Sequence, residues 1–191
     1  MISGIYYEFI SFPCGKRRYS MPLGIIWAPQ PAFYIYKTAG LSRLIDSSGT
    51  LFLLSPSDPL LFLESINHTL ELKVAFDDNG CPRPSELGSW YRCDYVINYN
   101  DNEKVGGVCR SFIPVRLASV PYTRLYGCLV ELLVILTKAR AGVIKDWYLE
   151  YARGLRDCIE RSSRGAPRYV AAADSALQEL EGIIRQGQGK P

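Results

Sequence analysis

Trp90-Tyr91-Arg92-Cys93-Asp94-Tyr95-Val96-Ile97-Asn98-Tyr99 alternates aromatic and aliphatic residues with polar ones. Asn100-Asp101-Asn102 then offers a turn, and the alternation resumes through Lys104-Val105-Gly106-Gly107-Val108-Cys109-Arg110-Ser111-Phe112-Ile113-Pro114. A period of two on either side of an Asn/Asp turn predicts a pair of strands joined as a hairpin. Upstream, Gly4–Phe12 is rich in aromatic and β-branched residues, and Pro13-Cys14-Gly15-Lys16 turns it into a second strand within Arg18–Ala28. Pro29-Gln30-Pro31 breaks that strand, Ala32–Tyr36 supplies a third, and Thr50–Ser55 a further apolar one. Two short helices interrupt this series. One is expected over Leu41–Ser48, where Leu41, Leu44 and Ile45 have helical spacing and Gly49 is placed to close it. The other starts with Asp58 as cap and Pro59 at the first helical position and runs to about Asn67. Many strands with few helices between them point to an antiparallel barrel rather than a doubly wound parallel sheet.

From Pro121 the period becomes helical. Leu125, Cys128, Leu129, Leu132, Leu133 and Leu136 share one face, and Val143–Arg161 and Pro167–Ile184 are two further amphipathic stretches. Gly142 and Arg164-Gly165-Ala166-Pro167 separate them, and Gln186–Pro191 reads as a frayed tail. The expected class is therefore α+β, with a barrel domain over 1–120 and a helical C-terminal appendage over 121–191. Arg124, Glu131 and Lys138 recur every seven residues on the first of these helices, which reads as a solvated or interfacial salt-bridging stripe or, alternatively, makes Glu131 a buried acid that fixes the packing of the helix.

Residues 1–120 carry eleven Lys/Arg and eleven Asp/Glu, whereas 121–191 carry eleven and eight, so the whole net charge of +3 lies in the helical part. A few arginines on helices are too thin a footprint for a nucleic-acid protein. No apolar run approaches the roughly 18 to 20 residues of a membrane span, and the N-terminal residues lack the pattern of a secretory signal. The expected compartment is the cytoplasm, which favours six reduced, mostly buried cysteines; their even number, with the disulfides that some intracellular hyperthermophile proteins use, leaves a bridge open. No Cys-x-x-Cys pair occurs and the one histidine, His68, has no cysteine near it, so no metal site is expected. A single histidine also leaves no Ser-His-Asp or Cys-His set unless His68 itself is the base, and its setting at the end of a helix reads as structural.

Chemistry is concentrated in two places. Lys37-Thr38-Ala39-Gly40-Leu41-Ser42-Arg43 joins the third strand to the expected helix and offers hydroxyls, backbone N–H groups and two cations to an anion. Met21-Pro22-Leu23-Gly24 places proline and glycine within a strand, which marks either an edge or bulge, or a shelf where a flat ligand approaches the backbone.

The order of Gly4-Ile5-Tyr6-Tyr7-Glu8, Met21-Pro22-Leu23-Gly24-Ile25, Lys37-Thr38 with Ser42-Arg43, and Ser55-Pro56-Ser57-Asp58-Pro59-Leu60-Leu61-Phe62 resembles the mainly archaeal DUF447 family of FMN-binding split barrels. Arg124, Val130-Glu131-Leu132-Leu133-Val134 and Thr137-Lys138 are similar to that family's helical part. The resemblance implies an FMN phosphate held by Lys37, Thr38, Ser42 and Arg43, with the flavin ring along Pro22, Leu23 and Gly24. It also implies a homodimer, and either a flavin-dependent oxidoreductase or a non-catalytic flavin- or deazaflavin-binding or interaction module. This chain departs from the family pattern at Leu41 and Leu44, where Thr and Asn are expected. A cofactor that carries its own redox chemistry accounts for a site without a catalytic histidine.

Overall fold

The computed structural model describes residues 1–15, 18–118, 121–163 and 165–188. Lys16 of the expected first turn, Arg164 of the expected helix break and the last residues of the expected tail lie outside them. The chain forms two compact units, one of Met1 with Tyr7–Tyr122 and one of Ile2–Tyr6 with Thr123–Pro191.

The first unit is a closed six-stranded barrel. Its strands are β1 (Tyr6–Pro13), β2 (Met21–Ile26), β3 (Ala32–Tyr36), β4 (Ser48–Pro56), β5 (Gly88–Asn100) and β6 (Lys104–Arg116), in the order β1-β2-β3-β6-β5-β4. The β5–β6 hairpin read from the sequence is its longest ladder, with register shifts at three places. Antiparallel pairing of β1 with β4, including Ile10 opposite Leu54 and Phe12 opposite Phe52, completes the ring and leaves no long free edge. Phe9, Tyr91 and Phe112 form one edge-on and tilted aromatic cluster with centroids 5.2 to 6.1 Å apart. A second cluster of Ile10, Phe12, Leu54 and Trp90 is buried under Leu61 of α1 (Leu60–Ile66), together with Leu70 and Val74. Trp90 is fully buried and its indole N–H donates to the Ser85 carbonyl at 3.1 Å, so it is a structural residue. Asp58 accepts the Leu60 N–H at 2.9 Å, the cap expected from the sequence.

The expected helix over Leu41–Ser48 is replaced by a single 3-10 turn, Gly40–Arg43. The apolar spacing is genuine, since Leu41 is fully buried. The chain cannot continue as a helix because Ser47 accepts the Ile97 N–H at 2.8 Å and Ser48 already pairs with Val96, so β4 begins there. Gly49, expected to end a helix, lies in β4 opposite Tyr95.

The second unit contains α2 (Arg124–Arg140), α3 (Tyr148–Ser162) and α4 (Pro167–Gln188). Thr123 caps α2 by accepting the Leu125 N–H at 3.3 Å. The buried faces, with Leu132 and Ile135 on α2, Ala152 and Ile159 on α3 and Ala173 and Leu180 on α4, follow helical spacing. Arg124, Glu131 and Lys138 are exposed, which agrees with a solvated stripe and corrects the alternative of Glu131 as a packed acid. The N-terminal segment joins this unit at one point. Gly165 donates its N–H to the Gly4 carbonyl at 3.0 Å, and a β-carbon on either glycine would collide with the other's backbone. Gly4 also has φ +79°, a conformation that favours glycine.

The six cysteines are paired as Cys14–Cys81, Cys93–Cys109 and Cys128–Cys158, which overturns the expectation of reduced thiols. Their sequence spacing carries no pairing signal. On the β5–β6 ladder Cys93 and Cys109 lie two rungs apart across a register shift, with Cα atoms at 5.4 Å, within the range a disulfide spans.

Candidate functional site

The ladder between β2 and β3 consists of only two pairs, Ile25 with Phe33 and Ile26 with Ala32. Before Ile25 the strands part, and proline at position 22, with no N–H to donate, stands in the part that has left the ladder. The opening is a cleft of about 110 Å³ lined by Met21, Pro22, Leu23 and Gly24 on one side and Tyr34, Ile35, Tyr36 and Ala39 on the other. Pro22 and Gly24 thus stand at an edge, where β2 has left β3, and the same residues line the cleft. Leu23 turns its side chain into the core and is only 4% exposed, so it offers its backbone to the cleft, while Gly24 presents no side chain.

Alternation along β3 sends Phe33 and Ile35 inward and Tyr34 and Tyr36 outward. Gly106 and Gly107 lie opposite Tyr34 and Phe33 on β6, and a β-carbon at either would strike the facing ring, so the two glycines let the aromatics lie across the ladder. Tyr34 meets Tyr99 edge-on at 5.6 Å, and the Lys104 ammonium stands 4.8 Å above the Tyr36 ring. Tyr34 and Lys104 had no role in the sequence reading. For Tyr34 the signal was present in the alternation, whereas Lys104 reaches Tyr36 only through the register.

The cationic segment begins one residue beyond Tyr36. Its four expected anion-binding residues do not line the cleft; Ala39 does, and it joins the two features. Lys37, Thr38 and Arg43 are exposed. Among the described residues neither Lys37 nor Arg43 is paired with a carboxylate. The Ser42 hydroxyl lies 2.9 Å from the Lys37 carbonyl and 2.7 Å from the Ala39 carbonyl, so its proton closes the turn. The Lys37 N–H is committed to the Glu103 carbonyl at 2.8 Å, and those of Ala39 and Ser42 to carbonyls inside the turn. One 3-10 turn supplies no appreciable helix dipole. The side chains of Lys37, Thr38 and Arg43 are exposed to an anion here. Leu41, where the family pattern has Thr, is fully buried, so its side chain serves packing.

Behind the turn stands a group of residues that the sequence reading did not assemble. Tyr19 packs on Gly40, and its hydroxyl occupies the space a β-carbon there would need. The Tyr19 ring stacks on His68 at 5.1 Å, and the His68 Nδ1 is 3.5 Å from Oε1 of Glu71. Glu71 is 8% exposed; its Oε1 accepts the Ser20 N–H at 2.6 Å and the Ser20 hydroxyl at 2.8 Å, and its Oε2 is buried without a hydrogen-bond partner. Burial, and secondarily the Glu71 charge, raises the Tyr19 pKa above the ordinary phenol value. His68 has φ 55°, the only non-glycine residue at positive φ among the described residues.

No family model matches the sequence, and no curated protein is detectably similar to it. A search of solved structures finds the crystal structure of an FMN-bound protein from Methanosarcina mazei assigned to the DUF447 family. It covers 95% of this chain and 96% of its own, with a TM-score of 0.48 and 16% identity. The chain is similar to an FMN-bound DUF447 protein. That family is the one the sequence motifs resemble. No helix among the described residues is long and apolar enough to cross a membrane, and none of them group as a metal site.

Proposed function

We propose that this protein is a DUF447-type split barrel that binds FMN at the parting of β2 and β3. One observation carries the reading: the apolar backbone shelf of Pro22–Gly24 is continuous, through Ala39, with a turn that carries two uncompensated cations. A flat ring system fits the first and a phosphate monoester the second. Lys37, Thr38 and Arg43 would hold the phosphate by charge-assisted hydrogen bonds, and Ser42 would shape their turn. Tyr34 and Tyr36 would flank the ring. At about 110 Å³ the cleft is too small for one copy of the chain to bury a ligand of this size. That supports a homodimer in which a second copy helps to cover the cofactor.

Bound flavin would supply redox chemistry of its own. The lining contains tyrosine hydroxyls but no carboxylate, thiol or imidazole, so the residues present bind, orient and exclude water. That lining suits both an oxidoreductase and a carrier of flavin or deazaflavin. The cytoplasm remains our proposed compartment; with three disulfides it fits the disulfide-rich intracellular proteins of hyperthermophiles.

Titration of the purified protein with FMN, followed in the visible spectrum, tests the reading. Saturable binding is expected, weakened roughly tenfold or more by Lys37→Ala with Arg43→Ala, because two charge-assisted contacts are lost. No saturation at millimolar FMN overturns it. Bleaching by NADH or NADPH separates an oxidoreductase from a carrier, and sedimentation with and without FMN tests the dimer.

A further inference from the structure

Lys37, Thr38, Gly40 and Arg43 are all exposed on one turn. At Gly40, the only polar side-chain group that the described contacts place there is the Tyr19 hydroxyl. Its one described hydrogen-bond partner is the Met21 sulfur at 4.0 Å, a weak acceptor belonging to a residue that itself lines the cleft. A phenol in this position is a donor still waiting for a strong acceptor.

The phenol is also held in place. Glu71 grips the backbone N–H and the hydroxyl of Ser20, the next residue in the chain, and this fixes the approach to β2. Ser20 is itself fully buried, so the Glu71 carboxylate, 8% exposed, and its two donors form a hydrogen-bonded group in the interior. His68 covers one face of the Tyr19 ring, and its φ of 55° is the local strain with which that contact is maintained. Gly40 leaves the opposite space clear for the hydroxyl. Three separate devices, an anchored neighbour, a stacked imidazole and a missing side chain, thus converge on one O–H group.

We propose that Tyr19 is a ligand-binding residue of this site, donating its hydroxyl to the phosphate of the bound nucleotide, and that Glu71 and His68 are its positioning residues. Tyr19 then distinguishes a phosphorylated flavin from the bare riboside. The proposal rests on the flavin reading above. The raised phenol pKa supports it, because the group stays an O–H donor well into the alkaline range.

Affinities for FMN and for riboflavin, measured side by side on the full chain, test it. Tyr19→Phe is expected to weaken FMN roughly ten- to a hundredfold, the loss for one hydrogen bond to a charged acceptor, and to leave riboflavin unchanged. Gly40→Ala, which displaces the hydroxyl without removing it, is expected to lower the FMN preference in the same sense. Glu71→Ala should reduce it too, and Glu71→Gln, which keeps an oxygen for Ser20, should restore most of it. An unchanged FMN affinity in Tyr19→Phe overturns the proposal, as does an equal loss for FMN and riboflavin, the mark of a merely structural role. In both cases wild-type FMN binding stands. Wild-type protein that binds neither flavin overturns the reading of the site itself.

Discussion

The barrel unit and the helical unit are held together by different means. In the barrel, closure comes from strand ladders between residues far apart in sequence, around interlocked aromatic rings; residues 1–120 contain seventeen of the twenty-three aromatics. The helical unit has a thinner core, in which alanines such as Ala152 and Ala173 allow close approach, and a rim of interhelical ion pairs. Arg140 meets Glu179 at 2.6 Å, Arg156 meets Asp174 at 2.7 Å and Arg153 meets Glu181 at 2.9 Å. The excess of arginine in the last third is largely spent on neighbouring carboxylates. A charge asymmetry visible in composition can therefore be a packing device, and the near-neutral barrel is where isolated cations mean something.

The sharpest way to break this comparison is through the cross-links. Cys14→Ser with Cys81→Ser opens a loop of 67 residues in the barrel and is expected to cost about 4 kcal/mol. Cys128→Ser with Cys158→Ser, a separation of 30 in the helical unit, should cost somewhat less, about 3.5 kcal/mol. Denaturant unfolding of each variant checks the order, and a reversed order would show that the barrel's ladders already fix what its disulfide restrains.

Next in size is Gly4→Ala. It places a β-carbon at φ +79° against the Gly165 backbone and should destabilise the helical unit by about 2 to 3 kcal/mol. Hydrogen exchange read separately for α2–α4 and β1–β6 measures it. The loss should be confined to the helices; protection falling equally in the barrel would dissolve the distinction between the units.

The smallest effects concern titration. In the β5–β6 turn, hydrogen bonds from the Tyr99 hydroxyl and from the Lys104 and Glu103 N–H groups hold Asp101 at about 2. In the helical unit the Arg140 guanidinium lowers Glu179. Both carboxyls are depressed in the folded state, so the support each gives is present above the ordinary carboxylate range and is lost as pH falls toward the folded value, about 2 for Asp101. Carboxyl NMR titration should find both midpoints lowered. High salt should relax Glu179, held by an exposed ion pair, more than Asp101, held mainly by hydrogen bonds.

Much of this was legible from residue patterns. Ala32–Tyr36 is bounded by prolines and a glycine-containing turn, and β3 has those limits. Asp58 capped its helix because a cap is a local interaction. Where long-range contacts decide, the reading failed. Leu41–Ser48 has helical spacing, but β5 claims its end for a ladder; Val143–Arg161 begins its helix only at Tyr148. The cysteine pairs depend on strand register and helix packing, which spacing does not encode. The site divides in the same way. Pro22, Gly24, Lys37 and Arg43 stood out as residue types in unusual places, whereas only the fold brings Tyr19 to Gly40, Lys104 to Tyr36 and Glu71 to Ser20.

The meeting of Gly4 with Gly165 bears on the order of assembly. On the ribosome, the segment that belongs to the helices emerges first and waits through roughly 160 residues for its partner. The barrel's last strand, β6, ends at Arg116, so all six of its strands are made before the helices that claim residues 2–6. The helical unit thus draws on residues 2–6 as well as on the segment that follows the barrel's last strand. Cutting the chain after residue 120 would leave neither piece with a whole unit.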